Sequence, residues 1–77
     1  MNDYLATFHT HLAALLTHRA MTNAGLEARM APVPRKISSS CGTCVYYRAE
    51  TLRSELLAAD TEAVYQMPEG KLLLELD

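Results

Sequence analysis

Two rhythms of apolar and polar residues alternate along this chain, one of period two and one of three to four, and each switch between them marks an element boundary. Asp3–Phe8 is short, apolar and aromatic, which predicts a first strand. Thr10 is placed to cap a helix, and from His11 to Ala24 the residues Leu12, Leu15, Leu16, Ala20 and Met21 recur at helical steps, predicting that they form its buried face. Gly25 suits the left-handed position that ends such a helix. Leu26, Ala28 and Met30 then alternate with Glu27 and Arg29, the signature of a strand with one buried face, and Pro32 and Pro34 stop it. Thr43–Arg48, rich in Val and Tyr, predicts a third strand. Glu50–Ala59 returns to the helical rhythm with Leu52, Leu56 and Ala59 inward, predicting a short second helix. Ala63–Met67 is a fourth strand, and Pro68–Gly70 turns the chain so that Lys71–Leu76 comes back as a hairpin arm or tail.

Strand, helix, strand, strand, helix, strand is the order of an α+β, ferredoxin-like split βαβ (βαββαβ) sandwich, with a short C-terminal arm added. In that arrangement an antiparallel sheet carries both helices on one face, so its other face must be polar or covered by a partner. Glu27 and Arg29 are expected on that open face. Residues 1–77 are read as a single domain. A core this small supplies roughly 3 to 5 kcal/mol, so a homodimer would add support, and the run Leu72–Leu74 is hard to leave in water.

Composition narrows the function. The chain has no apolar run approaching the ~20 residues that cross a bilayer, and its N-terminus lacks a basic segment followed by an apolar one. A cytoplasmic location without membrane contact is the expectation. A net charge of -2 lacks the dominant basic face that nucleic-acid binding requires. The charge is unevenly spread: Ala28–Ala49 holds Arg29, Arg35, Lys36 and Arg48 without one Asp or Glu, whereas acids dominate from Glu50 onward. An anionic ligand or partner surface could meet the basic middle, although solvated charge explains the pattern equally well.

That basic middle contains the candidate chemistry. Pro32–Gly42 is stiffened by two prolines, and Ser38, Ser39 and Ser40 lead directly into Cys41 and Gly42. Proline excludes the segment from a helix interior or a central strand, so it must be a loop, and small polar neighbours leave the Cys41 sulfur open. Arg35 and Lys36, with backbone amides of the turn, would favour thiolate over thiol. The bland alternative is that Cys41 packs beneath the loop as a small hydrophobe.

Three other readings compete. Cys41 and Cys44 have the spacing of a redox pair, but Val45–Tyr47 continues as a strand, and extended residues 41–44 would set the two Cα atoms ~10 Å apart with side chains on opposite faces. A bend at Gly42 could still bring them together. Cys41, Cys44, His9 and His11 are zinc-ligand types without the usual spacing, so no metal and no other cofactor is expected. Ser38–Ser40 have no neighbouring histidine or nucleophile-elbow glycines, and no phosphate-binding glycine loop is present, which gives enzyme chemistry little support.

Tyr4, Leu5, Thr7 and Phe8 at the start, Pro32–Gly42 in the middle, and Val64 and Tyr65 near the end fall where similar residues stand in a small bacterial family of selenium/sulfur carrier-like proteins, which this chain resembles over nearly its whole length. The resemblance implies that Cys41 carries sulfur or selenium as a persulfide or selenosulfide, that Gly42 permits the close turn, and that Ser39 and Ser40 shape the loop. It further implies donor and acceptor proteins as partners. Cys44 departs from the family pattern, which leaves a second-thiol role specific to this chain. The alternative from another class is a noncatalytic regulatory or protein-interaction domain in which Cys41 is structural.

Overall fold

The computed structural model describes residues 1–76. One five-stranded sheet organises the chain: β1 (Asn2–Phe8), β2 (Glu27–Pro32), β3 (Thr43–Ala49), β4 (Thr61–Met67) and β5 (Lys71–Glu75) lie in the order β2-β3-β1-β4-β5. Every neighbouring pair is antiparallel. Helix α1 (His11–Asn23) links β1 to β2, which run parallel with β3 between them, so the first half is the expected split βαβ unit. Thr10 caps α1 as predicted, its hydroxyl accepting the Ala13 N–H at 3.1 Å.

The second helix does not form. Glu50–Ala59 holds only one 3₁₀ turn, Ser54–Leu56, entered through Arg53 at φ 55°. The architecture is α+β with one helix, and the two-helix sandwich is thereby corrected. Length supplies the reason. Eleven residues separate Ala49 from Thr61, and they must return along a seven-residue strand, ~23 Å at 3.3 Å per residue. A ten-residue helix advances only ~15 Å. Outside that turn the crossover is a series of bends, tied to the core by hydrogen bonds: Tyr47 Oη donates to Leu52 O at 2.6 Å, and the Ala58 N–H donates to Thr17 Oγ1 at 3.0 Å.

The face that α1 buries also differs from expectation. Ala13, Ala14, Thr17 and Met21 face inward and Ala20 is half-buried, whereas Leu12, Leu15 and Leu16 are exposed. Both sets have helical spacing, so periodicity alone does not separate them. The sheet decides: Tyr4, Phe8 and Tyr47 already fill the space beneath the helix, with the Tyr4 and Tyr47 rings stacked at 5.1 Å, and only a small-residue face packs closely on them.

The opposite sheet face is half covered by the chain itself. Leu5 and Cys44 are buried there beneath Ile37 of the β2–β3 loop, with Val33, Tyr46, Tyr65 and Met67 around them. Arg29 lies on the open part of this face, its guanidinium 4.3 Å from the centre of the Tyr46 ring. The arm becomes β5, an edge strand whose Leu74 packs on the core while Leu72 and Leu73 stay exposed. Among the described residues no helix is long and apolar enough to cross a membrane.

Candidate functional site

The loop between β2 and β3 is anchored at several points along its length. At its base the Val33 N–H donates to Gly42 O at 3.1 Å, extending the β2–β3 ladder by one step. Ile37, buried against Leu5 and Cys44, pins its middle. The Ser39 hydroxyl then donates to Phe8 O at 3.2 Å, tying the loop to the end of β1. Gly42 turns the chain into β3 at φ +76°, a left-handed conformation that an L side chain rarely adopts, although a Cβ there would meet nothing within 4 Å.

Glu62 holds the residue before Cys41. Its carboxylate accepts the Ser40 N–H at 3.1 Å and the Ser40 hydroxyl at 2.5 Å, and lies 3.4 Å from His9 Nδ1. Glu62 reaches the loop because it occupies a bulge: Thr7 pairs with Ala63 and Phe8 with Thr61, which leaves Glu62 as the extra residue of β4. Burial pushes its carboxyl up, but the hydrogen bonds from Ser40 and Ser39 and the neighbouring His9 outweigh it, so the pKa lies below the ordinary 4.5. In the sequence Glu62 is one of the acids that dominate from Glu50 onward. No local signal marks it, since the bulge exists only against β1.

The two cysteines have opposite environments. Both are free thiols. Cys44 is wholly buried on the loop-covered face, where its sulfhydryl points to Pro32 O at 3.7 Å and burial pushes the thiol up to about 11. Cys41 is half-buried, packs at the edge of the helix-side core, and donates to Thr43 O at 3.4 Å. The thiols therefore pack on opposite sides of the sheet, although the left-handed Gly42 between them means that residues 41–44 are not one extended stretch. His11 Nδ1 lies 3.4 Å from Thr43 Oγ1, which brings the first residue of α1 to the Cys41 turn. Arg35 and Lys36 are exposed, and neither forms an ion pair among the described residues. The structure does not bring His9, His11 and the two sulfurs into one cluster, and no group of three or more metal-ligating side chains is found among the described residues.

At this end of the sheet stand one half-buried sulfur, a serine held by Glu62 and a glycine turn. No solved structure matches the chain. An uncharacterised Escherichia coli (strain K12) protein, YtiA, is 30% identical over 46 residues, which is 60% of this chain and 54% of that protein, so the match spans about half the relative's length. The family model described as "Putative Se/S carrier protein-like" matches residues 3–66, and the chain belongs to that family.

Proposed function

We propose that the protein carries sulfur or selenium on Cys41. The observation that supports this reading is the contrast between the two thiols: Cys41 is only half-buried at the end of an anchored loop, while Cys44 is fully buried with its proton held to about 11. Only an accessible sulfur can exchange with a second protein. In the loading step the Cys41 thiolate attacks the terminal sulfur of a donor persulfide. The new S–S bond forms as the donor's own S–S bond breaks, the donor leaves as a thiolate, and Cys41 holds the sulfane sulfur. Unloading is the same exchange with an acceptor thiolate, and selenium follows the same balance through a selenosulfide. Ser39 and Ser40 hold the loop, Gly42 makes the turn, and Arg35 with Lys36 offer exposed positive charge to an acidic donor or acceptor surface.

Intact mass of reduced wild-type, Cys41→Ser and Cys44→Ser proteins, after exposure to a persulfide donor and separately to a selenium donor, tests the reading. Adducts absent only in Cys41→Ser support it. Adducts on neither thiol favour the interaction-domain reading, which draws on the exposed Leu12, Leu15 and Leu16 of α1 and the exposed Leu72 and Leu73 of β5. A homodimer through one of these faces is part of that second reading, and a solution mass that stays monomeric with rising concentration excludes it.

A further inference from the structure

The open part of the helix-free sheet face, at the end away from the Cys41 loop, carries a groove of about 450 Å³. Two cross-strand rows wall it. Glu27, Arg48, Asp3 and Met67 stand side by side in one, and Arg29 and Tyr46 in the other. Between the rows run Ala28, Tyr47 and Tyr4, whose side chains turn to the helix side, so their backbone forms the floor. Side chains two residues apart on a strand stand ~6.6 Å apart. That spacing admits one flat ring touching both walls, at about 3.5 Å per contact.

The charges on these walls are not equivalent. Arg48 is taken, its Nε donating to Asp3 Oδ1 at 2.9 Å. Arg29 has no carboxylate within ion-pair distance among the described residues, and Glu27, opposite Arg48 in register, has no cation within that distance. The Tyr46 ring holds Arg29 instead, at 4.3 Å from its centre, which orders the guanidinium without using its N–H groups. Glu27 and Arg29 lie two residues apart on the edge strand β2, both exposed, one in each wall. The mouth of the slot at this edge therefore offers one free charge of each sign.

We propose that this slot binds a free aromatic α-amino acid. Its carboxylate accepts from the Arg29 guanidinium, its ammonium donates to the Glu27 carboxylate, and its ring lies inward over β3 between Tyr46 and Arg48. An α-amino acid carries both charges on one carbon, so both reach the β2 edge together. Its ring, about one strand spacing of 4.8 Å further in, meets an aromatic wall on one side and a cation on the other. Asp3 and Glu27 balance Arg29 and Arg48 in the lining, which suits a zwitterion over a net anion or cation. The site is independent of the chemistry assigned to Cys41.

Amide chemical shifts in the full chain, titrated with L-phenylalanine and, in parallel, with hydrocinnamate, phenethylamine and L-alanine, test the proposal. L-Phenylalanine produces saturable shifts at Tyr4, Ala28 and Tyr47, whose backbone forms the floor. The controls lack the ammonium, the carboxylate and the ring in turn, and each binds about tenfold more weakly or worse. Arg29→Gln and Glu27→Gln fold normally, since both side chains are exposed, and each weakens L-phenylalanine about tenfold. Arg29→Gln leaves phenethylamine binding unchanged, and Glu27→Gln leaves hydrocinnamate binding unchanged. The proposal is overturned if L-phenylalanine fails to saturate these residues up to its solubility, or if any control saturates them as tightly. It is equally overturned if either variant binds L-phenylalanine as the wild type does.

Discussion

Glu62 and Ser40 are joined twice, the Glu62 carboxylate accepting both the backbone N–H and the side-chain hydroxyl of Ser40, and this double hydrogen bond fixes the residue immediately before Cys41. The pair spans 22 positions in sequence and links the bulge of β4 to the β2–β3 loop. Clamped in this way, Cys41 sits at the end of a held loop.

Acid releases this clamp. The folded Glu62 pKa lies below the ordinary 4.5, so its stabilisation is complete above the unfolded value and is lost as pH falls through the folded one. Denaturant melts of wild type and Glu62→Gln are expected to differ by about 1 kcal/mol near neutrality and to converge in acid. The Ser40 amide should also exchange faster with solvent in Glu62→Gln at neutral pH.

Cys44 should resist alkylation more strongly than Cys41. Its burial and its thiol pKa of about 11 leave little thiolate near neutral pH, so modification under native conditions should label Cys41 alone until the protein unfolds. The folded state keeps the Cys44 proton after the unfolded chain has lost it. Cys44 therefore lowers stability as pH rises from 9.0 to about 11, by on the order of 2 kcal/mol; Cys44→Ala removes that share of the alkaline slope and leaves the share that begins near pH 10, where burial likewise holds the proton on Tyr47.

The inward face of α1 is intolerant of size. Ala14→Leu inserts three carbons where the helix rests on the sheet and should cost about 1 to 3 kcal/mol in denaturant melts. Leu16→Lys, on the exposed face, should change stability by no more than about 0.5 kcal/mol. If the interaction-domain reading holds, Leu16→Lys weakens partner capture or self-association instead.

Gly42 is conformational rather than steric. At φ +76° with open space around it, Gly42→Ala should cost about 1 kcal/mol through backbone strain, without a clash. Gly42→Asn should cost less, since Asn tolerates the left-handed region.

Much of this protein is determined locally. The strands from Asp3, Thr43 and Ala63, the Thr10 cap and the proline-bounded loop follow from alternation, capping and the fixed φ of proline, interactions that reach only a few residues. Tertiary structure decided what depends on distance or volume. The second helix failed because eleven residues had to return along a seven-residue strand, a length set by the sheet. The buried face of α1 turned from leucines to alanines because aromatic residues of β1 and β3 had already taken the space. Glu62 and His9 came together through a bulge, and pairing between strands far apart in sequence exists only once the sheet has formed.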